Sequence, residues 1–177
     1  MSFYTNIKRR VFYSFHYEKD VMRASQIRNI GIIEGNSPVS DNDWEEVKRG
    51  GDMAIKRWID NNMNGCSCLI VLIGEETANR KWVRYEIEKA WNDGKGVMGI
   101  HIHNIKCPRQ GRSRQGKNPF LDFYLGSSNK ISTDFFLGQQ LSNIVPCHNP
   151  YLSDAYNDIK DNLNSWVNSA IQIRERY

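Results

Sequence analysis

Leu69-Ile70-Val71-Leu72-Ile73-Gly74, followed after a short polar connection by Trp82-Val83-Arg84-Tyr85-Glu86-Ile87, decides the fold of this chain. Five consecutive apolar residues, three of them β-branched, bounded by glycine, describe a strand covered on both faces, as in a parallel sheet. The segment after it has helical periodicity. At 100° per residue Val83, Ile87, Ala90 and Trp91 form one apolar stripe, and Glu86 falls about 60° from its first member, on the border. Trp82 and Glu86 are one turn apart on the same side. A carboxylate on such a border can point along the sheet edge into a cleft, partly desolvated, with an indole beside it.

The same alternation extends outward in both directions. Residues 10–15 read as a first strand, 20–29 as a helix, 30–34 as a short second strand, and 35–44 as a turn-rich loop. Residues 52–63 repeat apolar side chains at Ile55, Trp58, Ile59 and Met63, an amphipathic helix stopped by Gly65. Thr77 or Asn79 is placed to cap the Trp82 helix, which runs to about Asp93, and residues 97–103 form a fourth strand. The stretch 104–118 is polar and basic, and residues 119–126 regain apolar character. Asn149-Pro150 resembles an N-cap with proline in the first helical position, opening a helix whose stripe is Leu152, Ala155, Tyr156, Ile159, Leu163, Trp166 and Ala170. Alternating strands and helices predict an α/β fold, a flavodoxin-like doubly wound parallel sheet in three α/β/α layers with a C-terminal helix. One domain over 8–177 is expected, with 1–7 an extension and 127–177 a C-terminal part. Ligands of such sheets bind beyond the carboxyl ends of the strands, which gathers residues 14–17, the 35–44 loop, Gly74 with Glu75 and Glu76, and His103 on one rim.

Composition narrows the function. With 25% charged residues, a net charge of +4 and no apolar run beyond residues 68–73, no membrane span is expected. The first ten residues place their charges after the apolar ones, so a secretory leader is not expected and the cytoplasm is. Four cysteines do not make a disulfide framework, and Cys66 and Cys68, one residue apart, lack zinc-knuckle spacing. No metal is expected. The basic residues of 106–117 lack interleaved aromatics, which ranks a solvated loop ahead of a lid on phosphates and nucleic acid last. The chain has neither G-x-G-x-x-G after a strand nor a P-loop, and its first strand lacks the acidic pair of a magnesium-dependent phosphoacceptor.

Ser14-Phe15-His16-Tyr17 after the first strand, Trp44-Glu45-Glu46, Leu72-Ile73-Gly74, the Trp82-to-Glu86 pair and Asn118-Pro119-Phe120 together resemble the TIR-like family, in the form found in bacterial Thoeris antiphage systems. The likeness covers residues 8–126. It implies cleavage of the nicotinamide–ribose bond of NAD, with Glu86 in the position of the catalytic glutamate. NAD is then a substrate, and no cofactor is needed. It further implies a cyclic ADP-ribose isomer made on phage infection and sensed by a partner effector, with a phage-derived activator and self-association as further expectations. The expected pocket comprises Phe12, Ser14, Phe15, His16, Trp44, Gly74, Trp82 and Asn118. Phe12 or Phe15, Trp44 and Trp82 offer faces for the bases, and Asn118 a hydrogen bond to a ribose or amide. By residue type alone Glu86 reads as a solvated helix residue, Trp82 as an aromatic packed on a loop, His16 as a turn residue and Asn118 as ordinary turn chemistry. Hydrolysis to ADP-ribose, or a non-catalytic scaffold acting by assembly, are the alternatives to a cyclase.

Overall fold

The computed structural model describes residues 9–31, 33–35, 41–133 and 138–177. Its central sheet has five parallel strands: β1 (Arg10–Ser14), β2 (Glu34–Gly35), β3 (Cys68–Ile73), β4 (Gly96–His101) and β8 (Cys147–His148), in the order β2-β1-β3-β4-β8. This is the flavodoxin-like order, with β8 as fifth strand. Between β4 and β8 the chain builds a small antiparallel sheet, β6-β5-β7, from β5 (Tyr124–Leu125), β6 (Ile131–Ser132) and β7 (Gln139–Gln140).

Each face of the parallel sheet carries its own apolar core. On one side α3 (Gly51–Met63) and α4 (Lys81–Asn92) pack Ile55, Ile59, Val83, Ile87 and Trp91 against Phe12, Leu69, Val71 and Ile73. On the other, α1 (Tyr17–Arg28) and α5 (Ala155–Glu175) pack Ala24, Ile27, Ile159, Leu163 and Val167 against Val11, Tyr13, Ile70, Leu72 and Ile100. Every β3 residue is buried, which explains its unbroken apolar run. In β1 the two-residue period sends Phe12 to the α3/α4 side and Val11 and Tyr13 to the other. At Gly96 a Cβ would stand 2.8 Å from the Ile171 backbone nitrogen, so glycine is what lets β4 approach α5 this closely.

Several expected boundaries move. The first helix starts at Tyr17, not 20, with His16 in extended backbone at its N-cap and Glu18 and Asp20 in a first turn where the helix dipole favours acids. The second strand shrinks to Glu34–Gly35. Trp44, placed in a loop by its turn-rich neighbours, sits instead on α2 (Asp41–Arg49); residues 36–40 of that expected loop lie outside the described residues, as do 1–8. Neither Thr77 nor Asn79 caps α4. Arg80 occupies the N-cap without a side-chain cap, and Thr77 Oγ accepts the Gly74 amide at 3.0 Å, tightening the turn after β3. The C-terminal helix opens at Ala155 under an Asp154 cap rather than at Asn149-Pro150, because Cys147 and His148 are taken by β8 and the chain must first leave the sheet. Leu152 and Tyr156 are therefore exposed, and Val167 replaces Trp166 in the fully buried stripe.

Candidate functional site

Glu86 is held where two elements meet. The Val83/Ile87/Trp91 stripe presses α4 onto the sheet and carries Glu86 in with it, leaving the residue 7% exposed. The β1 period that buries Phe12 brings Ser14 to the same side, and Ser14 Oγ donates a hydrogen bond to Glu86 Oε2. Burial pushes the Glu86 carboxyl up to about 8, against the opposing pull of the Ser14 hydrogen bond. A carboxyl group poised near neutrality is suited to change protonation state, or to be ionised by a cation bound beside it.

Two clefts share Glu86, Phe15, Tyr17 and Trp44 as a common wall. The inner one, about 420 Å³, is completed by Phe12, Tyr13, Trp58 and Arg28. The outer one, about 640 Å³, is completed by His16, Glu18, Lys48, Arg80, Trp82 and Val83. The wall is a relay of rings. Phe15 stacks on Tyr17 with centroids 6.1 Å apart, Tyr17 meets Trp44 at 5.9 Å, Trp44 meets Trp58 edge-on at 5.6 Å, and Trp58 meets Phe12 at 6.2 Å. Such offset and edge contacts favour a stiff wall that offers ring faces to a planar ligand.

At the outer mouth Arg80 Nη2 lies 3.4 Å from His16 Nδ1 and 3.1 Å from Glu76 Oε2. A guanidinium only donates, so His16 Nδ1 accepts and the imidazole proton sits on Nε2. Burial first, and then the Arg80 charge, hold His16 below the usual histidine range, which keeps it neutral at pH 7. Trp82 is half-buried, with Tyr85 edge-on at 6.0 Å and the Lys81 ammonium 4.8 Å from its ring.

Seven of the nine expected site residues thus converge: Glu86 and Ser14 as a hydrogen-bonded pair, with Phe12, Phe15, His16, Trp44 and Trp82 in the cleft walls. Gly74 and Asn118 line neither cleft. A Cβ on Gly74 would fall 2.0 Å from Asp20 Oδ2, so that glycine serves the close packing of α1. Asn118 Oδ1 accepts the Phe120 amide at 2.9 Å, capping the 3-10 turn Pro119–Asp122. Sequence reading placed Tyr17 on the rim but missed Tyr13, Trp58 and Arg28 in the inner cleft and Glu18, Lys48 and Arg80 in the outer one. Trp58 carried a signal, an α3 stripe residue large enough to reach beyond its own core, whereas nothing in the chain order joins Lys48 to Arg80.

Among the described residues no group of three or more His, Cys, Asp or Glu is arranged to hold a metal ion, and no helix is long and apolar enough to cross a membrane. The parallel β2-β1-β3-β4-β8 sheet, with a helix-borne carboxyl group at its carboxyl edge, defines an α/β domain of the TIR-like class. The family model of the Thoeris protein ThsB, TIR-like domain, matches residues 12–106, more than half of the chain, and the chain belongs to that family. It is also similar to a Bacillus cereus (strain MSX-D12) protein named "Putative cyclic ADP-D-ribose synthase ThsB1", 39% identical over 123 residues. That match spans 67% of this chain and 63% of the relative.

Proposed function

We propose that this domain cleaves NAD at the nicotinamide–ribose bond and closes the remaining ADP-ribose into a cyclic isomer. The observation that carries this reading is Glu86, a buried carboxyl group tied to Ser14 and shared by two aromatic clefts, in a chain similar to a relative whose name refers to cyclic ADP-ribose synthesis.

In the proposed reaction the bond between ribose C1′ and the pyridinium nitrogen breaks, and its electron pair leaves with neutral nicotinamide. The positive charge passes to C1′ in an oxocarbenium-like transition state, next to which the Glu86 carboxylate is stabilising. The pyridinium charge of the bound substrate lowers the Glu86 pKa, so binding itself favours the ionised acid. An adenine nitrogen or ribose hydroxyl of the same molecule then bonds to C1′ and releases a proton. Glu86 is within the shared wall and can accept it. Water as the nucleophile would give ADP-ribose instead, so cyclisation requires that the aromatic walls hold both ends of the dinucleotide together.

In this reading the enzyme works in the cytoplasm as part of antiphage defence. Its product diffuses to a partner effector, and a phage-derived activator and self-association are part of the proposal. Extracts of cells expressing the chain, with and without phage, should contain a species of cyclic ADP-ribose mass that Glu86→Gln abolishes. ADP-ribose and nicotinamide alone would convert the reading to a hydrolase. No NAD-derived product in infected cells would overturn both in favour of a scaffold.

A further inference from the structure

The outer cleft differs from the inner one in charge. Its lining includes Lys48 from α2 and Arg80 at the start of α4, together with the neutral His16 ring and Trp82. Two cations on separate elements, converging on one cleft beside an indole face, suit a ligand that has closely spaced anionic groups joined to a planar base. Arg80 pairs with the exposed Glu76 at 3.1 Å and donates to His16 Nδ1, and Lys48 pairs with the exposed Glu45 at 2.5 Å. Such surface pairs are weak, so an incoming anion can take over either cation at small cost. Glu18 and Glu86 are the acids of the cleft, and Glu86, its carboxyl pushed up to about 8 by burial, holds its proton at neutral pH, so Glu18 alone faces the two cations. α4 also begins here with no side-chain cap and no acidic residue in its first turn, which leaves its amide end free of competing carboxylates.

We propose that the outer cleft is a nucleoside diphosphate subsite, in which Arg80 and Lys48 bind the diphosphate and the Trp82 and Trp44 rings flank the base. The inference rests on the NAD reading and deepens it, since it assigns the ADP half of the dinucleotide to the outer cleft. Arg80 and Lys48 are then specificity residues: they select a dinucleotide over a phosphate-free nicotinamide riboside, and they do not touch the bond that breaks. His16 is held by Arg80 with its Nε2 proton free to donate, the correct polarity for a phosphate oxygen.

The test is calorimetric titration of the full chain with ADP, AMP and adenosine. ADP should bind most tightly, with an affinity that falls as salt rises. Arg80→Ala and Lys48→Ala should each weaken ADP by about tenfold and leave adenosine unchanged. Arg80→Lys should recover part of the loss. Glu76→Gln, which frees Arg80, should tighten ADP by about twofold, a gain that a merely structural role of Arg80 does not produce. Equal affinity for ADP and adenosine, equal losses for both in Arg80→Ala, or no ADP binding would each overturn the subsite. Nicotinamide release from NAD is followed separately. A chain that binds ADP through Arg80 but releases no nicotinamide overturns the NAD reading and leaves the subsite standing. One that turns over NAD with an unchanged KM in Arg80→Ala overturns the subsite alone.

Discussion

Glu86 sets the electrostatic character of the site, and it opposes folding while doing so. Its folded-state pKa, about 8, stands above the ordinary value of 4.5, so the native state holds a proton that the unfolded chain releases. Stability is therefore lost as pH rises from about 4.5 toward 8, on the order of a few kcal/mol across that window. Glu86→Gln keeps the shape and removes the ionisation. It should raise the melting temperature at pH 8, with little gain at pH 5, while lowering nicotinamide release by about a hundredfold or more. A variant less stable than the parent at pH 8 would contradict the burial argument. In the parent, kcat/KM should climb with pH toward a midpoint near 8, and kcat should reach its plateau at lower pH because the bound pyridinium favours the carboxylate. Ser14→Ala removes the one hydrogen bond that favours the ionised form, so its kcat/KM profile should move to higher pH. A profile that keeps its midpoint while only the rate falls would mean that Ser14 positions Glu86 without tuning it.

At the scale of elements, a buried ion pair ties the long β4–β5 connection to α1. Arg23 and Asp20, each 2% exposed, pair at 3.1 Å, and the same guanidinium donates to the carbonyls of Ile105 at 3.1 Å and Gly111 at 3.0 Å. Gly116 continues the seal, since a Cβ there would lie 1.9 Å from the Gly74 carbonyl oxygen. Asp20 nonetheless sits above the usual carboxylate range, because burial outweighs the pull of Arg23. Arg23→Met would leave that carboxyl group without its partner and two carbonyls without their donor, a loss of about 3–5 kcal/mol. A raised carboxyl pKa makes the deficit smaller at pH 5 than at pH 8, and Asp20→Asn added to Arg23→Met should recover part of it. Urea midpoints at the two pH values measure this, and a pH-independent deficit would assign the loss to the carbonyls alone.

For the whole molecule, the two cores divide the labour. The α3/α4 side holds Glu86 and the Trp58 wall, and the α1/α5 side is apolar packing centred on Leu163 and Ile159. Leu163→Ala should cost about 2–5 kcal/mol in chemical denaturation and leave KM for NAD unchanged wherever the protein is still folded. A large change in KM would show that the far core sets the shape of the clefts. The +4 net charge adds a weak, salt-sensitive attraction for a dianionic ligand, while selectivity belongs to the cations at the cleft.

Local periodicity by itself determined the order of β1, β3, α3, α4 and β4, the buried stripe of α4 and the place of Glu86 on its border. These follow from the repeat of two in strands and 3.6 in helices, which side-chain polarity records directly. Weak signals did not survive: the β8 pair Cys147 and His148 has no alternation to read, and Trp44 among Asn, Asp and Ser looks like loop chemistry although it is helical. Only the tertiary structure decided that Trp44, Trp58, Tyr17 and Phe15 form one wall, that Lys48 and Arg80 line the same cleft, and that Gly74 and Asn118 stand aside. It also decided the protonation of Glu86, because burial is a sum over neighbours from β1, α2, α3 and α4 that only packing brings together.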